Sequence, residues 1–227
     1  MIELAALDIA GTTLEEHGSV YEALRTAVSG EGPAPLEEEV RRWMGAEKRE
    51  AIRALLSPGS SQAPSSATVD RAYDDFRERL LDSYRRQPPR PFPGIEEALA
   101  RLRSDGVRVA LTTGFEREIT DFLLASVGWD GDLLDAVVCG DEVAAGRPAP
   151  FMIFRAMEVT GVIDVARVLV AGDTPLDLEA GSNAGARAVV GVLTGGLDAA
   201  TLGRVAHTHL LPRAADLPEL VIEASSS

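Results

Sequence analysis

From Gly94 onward the chain alternates between two periodicities, and that alternation leaves little freedom of fold. Gly94–Ser104 carries apolar residues at helical spacing, Val107–Leu111 is a continuous apolar run, Glu116–Val127 is helical again, and Leu134–Cys139 is another run. A helix near Ala149–Thr160, a strand Val168–Ala171, a helix near Pro175–Ala184, a short strand Ala188–Val192, and a weaker helix and strand toward His209 follow. Strands that are apolar throughout must be covered on both faces, and the helices between them supply that cover. The expected fold class is α/β, a doubly wound parallel sheet that the N-terminal run Ile2–Leu7 joins.

Between Leu14 and Arg90 the rhythm breaks. Helical stretches are expected at Val20–Val28, Leu36–Trp43, Glu47–Leu56 and Val69–Arg86, with no strand pattern among them. SPGSSQAPSSA (Ser57–Ala67) reads as a flexible loop and QPPRPFPG (Gln87–Gly94) as a stiff connector. The chain therefore divides into a core domain of residues 1–14 and 91–227 and an all-helical cap of residues 15–90, with the terminal EASSS as a frayed tail.

The 227 residues suffice for a core plus a smaller module. The single cysteine, Cys139, cannot close an intramolecular disulfide, and the opening MIELAALD reaches an acid before a secretory apolar stretch could form. No apolar run approaches the roughly 20 residues of a membrane span. A formal net charge of -14 repels nucleic acid and anionic membrane surfaces. The expectation is a cytoplasmic protein whose partner is a small molecule, met by locally concentrated positive charge.

In parallel sheets of this kind, ligands bind at the carboxyl ends of the strands. Three of the expected strands end in polar residues: the first in Asp8, the second in Thr112 and Thr113 before Gly114, and VLVAGD in Asp173, with Asp177 one turn on. Each alone could be a polar loop or a helix cap, and Asp173–Thr174 before Pro175 makes a good helix start. Together, at matching strand ends, they point to one site.

These residues resemble the haloacid dehalogenase superfamily of phosphotransferases: Asp8 with Gly11 and Thr12, then Thr112, then Arg147 in GRPAP, then GDTPLD with Asp173 and Asp177, in order along the chain. The resemblance implies Asp8 as a nucleophile that becomes an aspartyl-phosphate. It also implies Mg2+ held by Asp8, the Ala10 carbonyl and Asp173, a hard cation on oxygen ligands. Thr112 and the Thr113 and Gly114 amides would hold phosphate oxygens, and Arg147 would offset the gathered negative charge.

One position departs from the superfamily's phosphatases, which carry a second aspartate two residues after the nucleophile as acid for the leaving alcohol. Here it is Ala10, and losing general-acid help costs on the order of a hundred- to ten-thousand-fold. A second oddity lies in the cap. The 22 basic residues are 21 arginines and one lysine, Lys48, in WMGAEKREAI. A guanidinium does not deprotonate and an ammonium can, so the lone lysine is a candidate for amine chemistry. The alternative is a solvated charge beside Glu47 and Glu50.

DxAGT with a cap MGxxK (Met44, Gly45, Lys48), and arginine in GRPAP, resembles the phosphonoacetaldehyde hydrolase (phosphonatase) family and phosphonatase-like hydrolases. That resemblance implies a lysine Schiff base that acts as an electron sink for carbon–phosphorus cleavage. It also implies a substrate-side place for Met44 and Gly45, and dimerisation through the cap, with which the apolar stretch Val20–Val28 is compatible. The family has a histidine one turn after the lysine, where this chain has Ala51. His207 and His209 read as structural or surface residues, while His17 follows the first motif near the cap hinge, a place from which it could approach the site. The rivals are a phosphomonoesterase of the same fold, on phosphoglycolate or a sugar phosphate, and an inactive phosphate-ligand binding protein.

Overall fold

The computed structural model describes residues 1–57, 63–129, 131 and 133–225, with side chains as far as residue 222. Strand β1 (Leu4–Asp8) is followed by β2 (Leu14–Glu15), then by helices α1 (Ser19–Glu31), α2 (Glu37–Arg42), α3 (Lys48–Leu55) and α4 (Ser66–Arg86), and by β3 (Arg90–Pro91). The alternating part runs α5 (Ile95–Ser104), β4 (Arg108–Thr113), α6 (Arg117–Ser126), β5 (Ala136–Cys139), α7 (Phe151–Thr160), β6 (Val168–Gly172) and α8 (Pro175–Ala184). It ends with β7 (Ala188–Val192), α9 (Ala199–Leu202), β8 (His209–Leu211) and α10 (Leu217–Ser225).

The larger sheet has the order β5-β4-β1-β6-β7-β8, with every neighbouring pair parallel. Side chains along β1 alternate between two apolar layers. Leu4 and Ala6 join Met152, Ile153 and Ala156 of α7 and Ala180 of α8, whereas Ala5 and Leu7 join Leu99 and Leu102 of α5 and Leu217 of α10. This two-sided burial is why the strand reads as an unbroken apolar run, each buried Leu contributing roughly 1.5–3 kcal/mol before entropy is counted.

Register does the rest. Asp8 pairs with Thr112 across β1 and β4, and Leu7 pairs with Ala171 across β1 and β6. With β1 between β4 and β6, the ends that carry Asp8, Thr112 and Asp173 sit side by side at the point where the strand order diverges, the place such sheets reserve for ligands.

Helices α1 to α4 form the insert. On α1, Val20, Ala23, Leu24, Ala27 and Val28 are buried in the cluster that also holds Val69, Ala72, Phe76 and Leu80 of α4. The stripe that sequence offered as compatible with a dimer face is thus consumed within the chain. Ser65 starts α4 earlier than the apolar pattern indicates, its hydroxyl accepting from the Thr68 amide at 3.1 Å.

Three expectations are corrected. Segment 14–90 was expected to lack strands, yet β2 pairs antiparallel with β3, Leu14 with Pro91 and Glu15 with Arg90. Two-residue strands carry no periodicity to read, and this pair ties the insert's entry to its exit. The tail expected to fray instead continues α10 to Ser225, with Ser226 and Ser227 outside the described residues. Of the expected loop Ser57–Ala67, Pro58–Gln62 also lie outside them, and Ser66 and Ala67 belong to α4. Among the described residues, no helix is long and apolar enough to cross a membrane.

Candidate active site

Asp8, the last residue of β1, is buried, and Arg147 meets it from the segment between β5 and α7. Arg147 is itself buried and fully committed. Its Nη1 donates to Asp8 Oδ1 at 2.7 Å and to the Gly45 carbonyl at 3.3 Å, and its Nη2 donates to the Thr112 carbonyl at 2.9 Å and hydroxyl at 2.8 Å. Its Nε lies 2.9 Å from Asp177 Oδ1 in an ion pair whose N–H is not aligned as a hydrogen bond. With Nη1 and Nη2 each making two hydrogen bonds and Nε held against Asp177, Arg147 orients Asp8 and Thr112 and contributes charge. Because Thr112 Oγ1 accepts from arginine, its own proton is free for an incoming oxyanion. Thr113 Oγ1 accepts from the Phe115 amide at 3.2 Å.

Asp173 follows β6 directly and stays out of the helix start. Thr174 is the cap of α8, with Pro175 at the first turn, and Asp177 Oδ2 accepts from the Thr174 amide at 3.0 Å. Asp177 thus fixes the helix start and Arg147 together. Thr12 Oγ1 donates to Asp173 Oδ1 at 2.9 Å. The other oxygen faces two glycines: a Cβ on Gly11 would stand 2.5 Å from Asp173 Oδ2, and one on Gly195 would stand 1.9 Å from it. Thr194 and Gly195, just beyond β7, were missed by sequence reasoning. Thr194 Oγ1 donates to the Gly11 carbonyl at 2.6 Å, which fastens this loop to the first motif. The detectable signal was another strand end followed by threonine and glycine, as in Thr113–Gly114.

Carboxylate oxygens of Asp8, Asp173 and Asp177 lie within 4.8 Å of one another. Burial lifts the Asp8 carboxyl to about 7, Arg147 pulling it back and Asp177 adding to the rise. Burial, then Asp8 and Asp177, hold Asp173 well above the usual carboxylate range. Three buried acids around one committed guanidinium are short of positive charge, and hard oxygen donors short of charge fit a divalent cation.

The insert descends onto this cluster through the loop between α2 and α3. Gly45 has φ +85, and a Cβ there would strike Thr174 Oγ1 at 2.6 Å, so the left-handed turn and the close approach both demand glycine. A Cβ on Gly114 would lie 2.3 Å from the Ala46 carbonyl oxygen. Glu47 caps α3, its carboxylate accepting from the Arg49 and Glu50 amides at 2.8 and 2.7 Å. Lys48, the first residue of α3, is 4% exposed, which rules out a solvated surface charge. Its Nζ donates to the Ala46 carbonyl at 2.7 Å and sits 5.3 Å from the centroid of the Phe115 ring. Burial lowers its pKa to about 8, against the opposing fields of Asp8 and Glu47. Phe115, directly behind TTG, is a second residue that sequence reasoning missed.

A cleft of about 460 Å3 leads from Ala10, Gly11, Asp173 and Thr174 outward past Met44 and His17 to Tyr21 and Arg41. Ala51 is fully buried in the apolar core. His209 lies on the edge strand β8 and the His207 ring on the Val205 carbonyl, both remote from the acids.

The haloacid dehalogenase-like hydrolase model matches residues 2–185. A phosphonoacetaldehyde hydrolase of Bacillus cereus is 32% identical over 205 residues, which cover 86% of this chain and 76% of that protein. In fold the chain is similar to a phosphonoacetaldehyde hydrolase-like protein from Oleispira antarctica, with TM-score 0.85 and 22% identity over 99% of this chain and 93% of that one. A β-phosphoglucomutase from Clostridium difficile superposes with TM-score 0.83 at 17% identity, covering 99% and 96%. A sheet that brings its strand-end acids to one point, under a model that spans most of the sequence, gives the assignment: this chain belongs to the haloacid dehalogenase-like hydrolases.

Proposed function

We propose that the chain is a Mg2+-dependent phosphonatase-like hydrolase that cleaves the carbon–phosphorus bond of phosphonoacetaldehyde or a related 2-oxoalkylphosphonate. The observation that carries this is Lys48: the only lysine in the sequence is buried over Phe115, under a loop pressed onto the Asp8 cluster. With its pKa near 8, roughly a tenth of it is neutral at pH 7, against about three parts in ten thousand for an ordinary lysine. The named Bacillus cereus relative acts in the same direction.

The neutral amine adds to the substrate carbonyl, and loss of water leaves an iminium. The iminium draws the carbon–phosphorus bonding electrons toward itself as the phosphoryl group passes to an Asp8 oxygen, leaving an enamine. Water then hydrolyses the aspartyl-phosphate to phosphate. The enamine takes a proton at carbon, and hydrolysis of the resulting imine frees Lys48. The leaving atom is carbon, so an acid aimed at an ester oxygen has no work, consistent with Ala10. Thr112 and the Thr113 and Gly114 amides are the candidate phosphate donors, while Met44 and Gly45 bring the insert over the substrate. Asp8, the Ala10 carbonyl and Asp173 would hold Mg2+, which supplies the positive charge the buried acids and the phosphoryl group lack.

Phosphate release from phosphonoacetaldehyde and longer 2-oxoalkylphosphonates, set against a panel of phosphate monoesters, tests this. The expected result is turnover of the carbonyl phosphonates that Lys48→Arg abolishes. Turnover of esters alone would make the chain a phosphomonoesterase, and no release from any substrate would make it a phosphate-ligand binding protein.

A further inference from the structure

Resting on that reading, we infer that His17 carries the proton to and from the substrate's carbonyl oxygen while the Lys48 imine forms and breaks. His17 lies between β2 and α1, and it is one of the residues around the cleft that also holds Ala10, Gly11, Met44, Asp173 and Thr174. Its backbone has φ +58, the only left-handed conformation among the described residues other than glycine. Such a conformation persists where the surroundings impose it. Here Glu16 imposes it, accepting from the Gly18 and Val20 amides at 3.1 and 2.7 Å on the far side of the histidine.

The two ring nitrogens differ. Nδ1 is 3.7 Å from Oε1 of the half-exposed Glu15, whereas Nε2 is buried and has no hydrogen-bond partner. A buried polar atom left unpaired is unfavourable and calls for a reason. The same cleft holds Met44, which belongs to the loop between α2 and α3 that leads directly into Lys48. Of the other titratable side chains of the cleft, Glu16 is held by its two amides, Glu22 by Arg25, Arg41 by Glu37, Tyr21 lies beneath Arg41, Asp173 belongs to the acid cluster, and Glu15 faces His17 Nδ1.

Imine formation needs such a group. Once the amine has added to the carbonyl, the carbinolamine oxygen leaves only as water. Protonated His17 gives its Nε2 proton to that oxygen, the carbon–oxygen bond breaks, and the nitrogen lone pair closes the C=N bond. Water departs and the imidazole is neutral. In the final hydrolysis the neutral ring takes a proton from the attacking water and is reset.

The test is the rate at which borohydride traps a Lys48 adduct from phosphonoacetaldehyde in a single turnover, compared for wild type, His17→Gly and His17→Asn. Both variants suit a positive φ, and thermal unfolding checks their fold. The expected result is trapping slowed on the order of a hundredfold, with added imidazole restoring rate to His17→Gly. Trapping within twofold of wild type, or slowed trapping that imidazole leaves unchanged, overturns the role of His17 and leaves the Lys48 reading intact. No adduct in the wild type removes that reading instead, and the role of His17 with it.

Discussion

Replacing Gly114 with alanine should hold the insert off the sheet without disturbing the sheet itself. The added Cβ would lie 2.3 Å from the Ala46 carbonyl oxygen and 2.9 Å from the Gly45 carbonyl oxygen. Both atoms are backbone, so no side-chain rotation relieves the clash, and the loop must retreat by about 1 Å to reach ordinary contact. Gly114 is not among the residues with positive φ, so alanine suits its own backbone. The retreating loop carries the Gly45 carbonyl that receives Arg147 and the Ala46 carbonyl that holds Lys48 Nζ at 2.7 Å. Lys48 therefore shifts relative to Asp8, and a misplacement of about 1 Å costs on the order of a hundredfold in rate. The assay is kcat/KM for phosphate release from phosphonoacetaldehyde, with thermal unfolding in parallel. The expected result is a hundredfold loss with Tm within about 4 °C of wild type. Activity within threefold of wild type would refute the coupling between insert closure and the placement of Lys48.

Three further outcomes follow from the same geometry. Lys48→Met removes a buried cation and keeps an unbranched side chain, so Tm should hold or rise while carbonyl-phosphonate turnover disappears; residual turnover would contradict the amine's role. Because burial lowers the Lys48 pKa to about 8 and lifts that of Asp8 to about 7, kcat/KM should climb at least close to tenfold per pH unit below 7 and level off above 8, and a flat profile from pH 6 to 8 would contradict it. Asp8 and Asp173 bind protons more tightly folded than unfolded, so the stability tied to them falls as pH rises from about 4 through 7. A divalent cation displaces those protons, so the rise in Tm on adding Mg2+ should be larger at pH 8 than at pH 5, and equal increments would count against the cation site.

What was legible in the sequence follows from what a parallel sheet makes local. Asp8, Thr112 and Asp173 could be placed together because each ends an apolar run, and parallel strands present all such ends along one edge. Lys48 was legible through its solitude, and its burial follows from where α3 starts. The contacts that fix the site were not legible, because they depend on how the insert sits over the sheet. Nothing in the local pattern of Gly114 announces the Ala46 carbonyl, and nothing near Gly195 announces Asp173. The left-handed His17 was hidden too, since its conformation is set by the Glu16 carboxylate reaching past it to the start of α1. At the GDTP turn, both Asp173 and Thr174 could cap a helix; the structure gives the cap to Thr174 and leaves Asp173 for the acid cluster.

Everything in the proposed reaction depends on an imine between Lys48 and a carbonyl phosphonate. Incubating the protein with phosphonoacetaldehyde and Mg2+, reducing with borohydride and mapping the adduct by peptide mass spectrometry measures it directly. The expected result is one adduct, on Lys48, formed as phosphate is released. An unmodified Lys48 across a series of 2-oxoalkylphosphonates, with phosphate released from simple esters instead, would contradict it.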